Sequence, residues 1–263
     1  MGVWLGPMGK SKAKSLPKFT FSGSYELLHT TRQDGTVDWE LVLKSSGTLT
    51  FQRVVPMVDI FLVGGGASGA KAYEYNNGAR GGSGGKGGQC VTHTAVSVSS
   101  GSYSIVIGGS GQNTTALGKT ATGGGGASAG TGAYARTTNW GGGSYAGTDA
   151  GTQGNGTPAF GSGTTLYKNG WKYGPGGGGG DAYARRNYSE YTSVQSGGAP
   201  GNSGRSDVGA DGGNASHALG YNGAANTGAG GGGGFGSKDQ MEGDDWFNGG
   251  SGGSGIVIIR NAR

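Results

Sequence analysis

The residues best suited to do chemistry in this chain are tyrosines, tryptophans and arginines gathered in short clusters. "ASGAKAYEYNNGAR" (67–80) carries Tyr73, Tyr75 and Arg80. "ASAGTGAYARTTNW" (127–140) carries Tyr134, Arg136 and Trp140, with Tyr145 close behind. "DAYARRNYSEY" (181–191) carries Tyr183, Arg185, Arg186, Tyr188 and Tyr191, and "SKDQMEGDDWFN" (237–248) ends in Trp246 and Phe247. The chemistry such sets support is recognition. Rigid amphipathic rings supply contact area, arginine supplies fixed donors, and interleaved Ser, Asn and Gly adapt to a partner. Some of these rings are expected to cap the structure beneath them instead of facing a ligand.

Bond-making chemistry finds no support. His29, His93 and His217 lie far apart in the sequence, without Cys or acid spacing for a metal. No G-x-S-x-G elbow or paired catalytic acids occur. Matches to G-x-G-x-x-G are expected by chance at this glycine content, and the helix and acid of a dinucleotide site are missing. Glu242, Asp244 and Asp245 read as a solvated acidic loop ahead of a calcium site. The expectation is a protein without catalytic residues, cofactor or metal. Aromatic plus basic residues also suit single-stranded nucleic acid, but the charges in these clusters are mixed, so no nucleic-acid partner is expected.

What must position the clusters is glycine. Six of the 66 glycines in this 263-residue chain lie before residue 64 and none after 255. The span between cannot build an ordinary aliphatic core, and without a strict third-residue repeat it is not collagen. Ordering a glycine costs roughly 0.5–1 kcal/mol more than ordering an alanine, so only dense backbone contacts can hold such a span together. Extended threefold helices of polyproline-II type, packed side by side, offer them. They have no internal hydrogen bonds and turn every N–H and C=O to a neighbour, and without Cβ atoms they approach closely enough for Cα–H···O contacts.

The spacing of side chains fits a period of three. In "GGSGGKGGQ" the non-glycines are Ser83, Lys86 and Gln89, and in "GGSGGSG" they are Ser251 and Ser254. These runs read as outer-layer helices with one edge decorated. The bare runs 176–180 and 230–234 read as interior ones. The aromatic clusters between runs read as loops at the ends of the slab.

The rest of the chain reads as β. "FTFSGSYEL" alternates, and "VDWELVL" puts Val37, Trp39, Leu41 and Leu43 on one face with Asp38 and Glu40 on the other. "VDIFLV" (58–63) and "GIVIIR" (255–260) are nearly all apolar, as strands buried on both faces would be. They are expected to pair and close the glycine region. "CVTHTAVSVSSGSYSIVIGG" reads as a hairpin turning near Ser100–Gly101.

The fold class expected is therefore mostly β plus packed polyglycine II-type helices, with essentially no α-helix. The parts are residues 1–18, an attachment segment; 19–62, a β-strand collar; and 63–263, the glycine-rich domain with aromatic loops, closed by strand 255–260. In the first part Val3, Trp4, Leu5 and Met8 form an apolar knot that either folds back or docks on a partner. Lys10, Lys12, Lys14 and Lys18 follow as a solvated tether, and they supply much of the net charge of +5. The opening "MGVWLGPMG" is too short for a signal h-region and its lysines follow it. No run approaches the ~20 apolar residues of a membrane span. Cys90 is alone, so no disulfide framework is expected.

"VDIFLVGGGASG" opening and "GGSGIVIIR" closing a glycine-rich region resemble the glycine-rich domain of bacteriophage and prophage tail proteins. The combination with variable aromatic loops is similar to the polyglycine-helix receptor-binding adhesins at the long tail-fibre tips of T-even-type phages. The resemblance implies a tail adhesin, assembled in the host cytoplasm and carried on the virion. Its loops would bind a bacterial surface protein or glycan, and its N-terminal segment would dock on a tail or fibre protein. It implies no membrane insertion. The receptor-binding residues would be Tyr73, Tyr75, Tyr134, Arg136, Trp140, Tyr145, Tyr183, Arg185, Tyr188, Tyr191, Trp246 and Phe247. The attachment residues would be Val3, Trp4, Leu5 and Met8. The alternatives are a structural tail-tip protein whose loops meet neighbouring subunits, and a low-complexity cell-surface or nucleic-acid-associated protein.

Overall fold

A computed structural model describes residues 16–75, 78–127, 134–136, 156–185, 193–195, 217, 219–239 and 243–262. The described residues form strands and extended segments, with no helix. In chain order the strands are β1 (Phe19–Phe21), β2 (Tyr25–Thr31), β3 (Val37–Leu43), β4 (Gly47–Phe51), β5 (Val55–Val63), β6 (Tyr73–Tyr75) and β7 (Gly78–Arg80). Next come β8 (Cys90–Val98), β9 (Gly101–Ile105), β10 (Thr114–Ala116), β11 (Lys119–Ala121), β12 (Tyr134–Arg136), β13 (Thr157–Pro158) and β14 (Lys172–Tyr173). The last are β15 (Ala182–Arg185), β16 (Ser193–Gln195), β17 (Gly236–Asp239), β18 (Asp245–Trp246) and β19 (Ile256–Asn261).

The collar is a layered β-structure. Its central sheet has the order β2-β3-β19-β5-β8, with β19 antiparallel to both neighbours and Ile256 opposite Val63. The closing strand and the strand that opens the glycine region are thus hydrogen-bonded partners. Above this sheet lies a three-stranded one, β1-β4-β9. Trp39, Leu41, Leu43, Ile60, Leu62, Val257 and Ile259 meet Leu49, Phe51 and Ile105 between them. The opposite face, carrying Val42, Phe61, Val63, Ile256 and Ile258, is covered by Ala159, Tyr167 and Tyr173 from the excursion 156–173. Cover on both faces is why β5 and β19 carry apolar residues without alternation.

One local expectation is corrected. Strands β8 and β9 both form and are joined near Ser100, but they do not pair. The first adds to β5 and the second to β4, so the connection steps from one sheet to the other. Asp38 and Glu40 do share the face opposite Trp39, yet both are buried, because the 156–173 excursion seals that face. Burial of a charge demands partners, and they are present. Glu40 Oε2 accepts from Tyr167 N at 3.0 Å. Asp38 accepts from Arg32 Nε at 2.8 Å and from Asn261 Nδ2 at 3.2 Å. Beside them Arg260 Nε meets Asp59 Oδ2 at 3.2 Å, and its Nη1 donates to the Thr164 carbonyl at 2.9 Å. This polar seam fastens the excursion to the sheet.

From the collar rise the glycine runs, and their hydrogen bonds repeat with a period of three. Along 229–235, Gly230 and Gly233 donate to Pro175 and Gly178, while Gly231 and Gly234 donate to Ala67 and Ala70. Between them Gly232 donates to Tyr221. The carbonyls of Gly231 and Gly234 accept from Gly85 and Gly82, and those of Ala229 and Gly232 accept from Gly253 and Gly250. Each residue thus bonds a different chain from the next, and every third residue returns to the same one. A threefold extended chain produces that pattern, whereas a sheet sends its bonds in two directions only. The run 64–72 repeats it: residues 64, 67 and 70 donate to Gln89, Lys86 and Ser83, and residues 66, 69 and 72 to Gly253, Gly250 and Phe247.

The bare runs 176–180 and 230–234 are fully buried. A methyl group on Gly230 would overlap the Gly85 carbonyl, and one on Gly233 the Gly82 carbonyl. In the decorated run Lys86 and Gln89 are exposed, but Ser83 is buried at 1 %. The decorated edge is therefore covered where it nears the far end of the slab.

Candidate functional site

Five glycine runs among the described residues connect the collar to one distal end. Run 64–72 leads from β5 to β6, 81–89 from β7 back to β8, and 174–181 from β14 to β15. Run 229–235 leads to β17, and 247–255 returns from β18 to β19. Instead of loops, the described parts of the aromatic clusters form two short sheets at that end, ordered β12-β7-β6 and β16-β15-β17-β18. The runs deliver chain ends at close lateral spacing, and the Ala-Tyr-Ala-Arg stretches extend into pairing from there. The two sheets meet through Ala79 and Ala182, both at 0 % exposure, with Trp246 packed against them. Residues as small as alanine let the sheets come together where a larger aliphatic core has no room.

The registers bring the sequence-selected residues together. Tyr134, Arg80 and Tyr73 are neighbours in one row across three strands, and Arg136, Gly78 and Tyr75 in the row after next. Arg80 Nη1 reaches the Tyr73 hydroxyl at 3.5 Å. In the second sheet Tyr183 lies between Val194 and Ser237, and Arg185 beside Asp239. Four chain segments distant in sequence thus form one platform of two short sheets, at the end opposite the collar. Trp140, Tyr145, Tyr188 and Tyr191 lie outside the described residues, as do Val3, Trp4, Leu5 and Met8.

Trp246 and Phe247 have packing partners. Trp246 is half-buried against the alanines. Phe247 stacks on the buried Phe235 with ring centres 6.3 Å apart, and its carbonyl accepts from Ala72 N. That ring caps the glycine layer.

The platform also holds an ion-pair bridge that sequence reasoning missed. Lys238 Nζ lies 2.6 Å from Asp244 Oδ2 and 3.0 Å from Glu74 Oε1, joining the second sheet to β6 of the first. The Asp244 carboxylate, then that of Glu74, hold the ammonium above the usual lysine range. No local pattern announces this trio, because its members come from three strands or turns that only the fold brings together. Among the described residues no group of three His, Cys, Asp or Glu side chains could hold a metal ion.

Cys90 is half-buried where run 81–89 enters β8, and its sulfur donates to the Tyr173 carbonyl at 3.3 Å. Burial pushes its thiol up to about 12.

Compared with known proteins, residues 43–262 match the family model described as a glycine-rich domain. No curated protein matches the chain.

Proposed function

Starting from a chain that belongs to the glycine-rich domain family, we propose that it is a non-enzymatic bacteriophage tail-tip adhesin. In this reading the distal platform binds a protein or glycan on the bacterial surface, and the collar end, reached by residues 1–18, attaches to the tail or fibre. The protein is assembled in the host cytoplasm and carried on the virion. The observation that supports it best is the convergence of Tyr73, Tyr75, Tyr134, Arg136, Tyr183 and Arg185 on one pair of small sheets. That pair stands at the end of the slab farthest from the collar. A scaffold of backbone alone holds the platform rigidly, so little ordering entropy is lost on binding.

Cell-binding measurements test the reading. Fluorescently labelled protein is expected to bind host cells saturably and to fail on cells lacking one surface component. Tyr183→Ala with Arg185→Ala is expected to weaken binding at least tenfold, the scale of an aromatic or arginine hot spot, with unfolding unchanged. Unchanged cell binding by that variant would refute the assignment. Failed assembly of particles with host binding intact would favour a structural tail-tip role.

A further inference from the structure

The two edges of the central collar sheet differ. At one edge β8 pairs with β5 through register shifts between Val55 and Val58 and between Val58 and Ile60. Met57 and Ala95 there adopt positive φ of 58° and 53°. Such bulges twist an edge away from further pairing. At the other edge β2 pairs with β3 in unbroken register from Tyr25–Leu43 to Thr31–Val37. Arg32 N donates to Thr36 O and Lys44 N to Ser24 O. These bonds fix the parity: even-numbered residues of β2 bond β3, so the backbone N–H and C=O of Tyr25, Leu27, His29 and Thr31 point away from the sheet. No described strand pairs with that side. Among the described residues it is a seven-residue, regular edge with no strand beside it.

We infer that β2 is a homodimer interface, pairing antiparallel with β2 of a second copy about a two-fold axis at Leu28. The strand is complementary to itself in the register that overlaps its whole length. That register hydrogen-bonds Tyr25 to Thr31 of the other copy and Leu27 to His29, using all four outward-facing residues. On one face it opposes an aromatic to a β-branched residue, a favourable cross-strand pair. On the other it sets Leu28 against its own copy at the axis and Glu26 against Thr30, so no like charges meet. Leu27 and Leu28 already pack at the margins of the two collar cores, and pairing would make both cores continuous across the seam. The edge brings its own apolar patch: Tyr25, 45 % exposed, stands edge-on to Phe19 and Phe21 at 5.5 and 6.1 Å. The charges nearby are spent within the chain, Glu26 on Lys44 and Arg32 on Asp38. An isologous contact of this kind closes on itself as a dimer and does not propagate.

The axis runs normal to the sheet, so the two distal platforms point in opposite directions. The inference is independent of the receptor reading, and neither test reports on the other.

Sedimentation equilibrium of the full chain tests it through the sign of one charge. The wild type is expected to show a concentration-dependent monomer–dimer equilibrium. Thr30→Glu places a carboxylate opposite Glu26 twice per interface and is expected to raise the dissociation constant about tenfold. Thr30→Lys, at the same exposed position, is expected to leave it unchanged or lower it. His29→Pro removes one outward N–H per copy without touching the β2–β3 bonds and is expected to yield monomer, with thermal unfolding confirming that the fold survives. A wild-type monomer at every concentration overturns the inference, as does a dimer indifferent to the sign of the charge at residue 30.

Discussion

Gly233→Ala is the sharpest probe of the glycine slab. A methyl group there lands on the Gly82 carbonyl, which is backbone and cannot rotate aside. To make room, run 81–89 must withdraw near Gly82. That movement strains the bond from Gly82 N to Gly234 O and the one from Gly180 N to Gly82 O, both 2.8 Å. A buried group left without its partner costs about 1–3 kcal/mol, so losing two such bonds costs roughly 2–6 kcal/mol. Against this, alanine restricts the unfolded chain and returns about 0.4–1 kcal/mol. The net expectation is a loss of about 1–5.6 kcal/mol, set against the 5–15 kcal/mol typical of a folded domain. Gly126→Ala is the control, because nothing lies within 4 Å of its added methyl. It is expected to be neutral or slightly stabilising. Urea unfolding followed by tyrosine and tryptophan fluorescence measures both. If Gly233→Ala is as mild as Gly126→Ala, the close backbone packing described here is wrong.

Further outcomes follow from the polar and titratable groups. Arg260→Met leaves Asp59 buried without its cation and should cost about 3–5 kcal/mol in the same assay, with faster amide exchange across 157–173 as the Thr164 contact is lost. Lys238→Met removes a largely surface bridge and should cost no more than about 1 kcal/mol. Its effect is expected in exchange rates of the distal strands and not in those of the collar. Cys90 stays protonated well above the pH at which a free thiol ionises. Reaction with a disulfide reagent at pH 8 should therefore be far slower in the folded protein than in urea. Because burial raises the folded-state value, the associated stability is present below about pH 8.5, the ordinary thiol range, and falls as pH climbs towards 12. Equal reaction rates folded and unfolded would contradict the burial of that sulfur.

Much of this architecture is legible in the sequence because its signals are local. The nearly all-apolar stretches of β5 and β19 announce strands covered on both faces, and their places at the two ends of the glycine region announce the pairing. The glycine runs announce themselves by composition, and Lys86 and Gln89 show the period of three. Long-range events are less visible. Nothing in "VDWELVL" reveals that the face of Asp38 and Glu40 will be sealed, because the cover lies more than a hundred residues later. The β8–β9 connection looks like a hairpin because local pattern cannot tell a turn within one sheet from a step between two. At the distal end the clusters read as loops, since three-residue strands fall below any periodic signal. Lys238, Glu74 and Asp244 are ordinary surface charges until the two small sheets meet.

The common direction of the glycine runs has a mechanical consequence. Both ends of the described chain lie at the collar: Gln52 N donates to Lys18 O, and Ala262 N to Met57 O. The tyrosine-bearing strands lie at the opposite tip. A pull between tip and collar therefore acts along the axes of all the runs at once. Their lateral bonds, lying across that axis, are loaded in shear and must fail together. A pull between the two chain ends acts only on the collar, where strands can separate one bond at a time. The same protein should then resist stretching far better when held by its tip and its collar than when held by its termini, and single-molecule force spectroscopy with the two tether geometries would measure the difference.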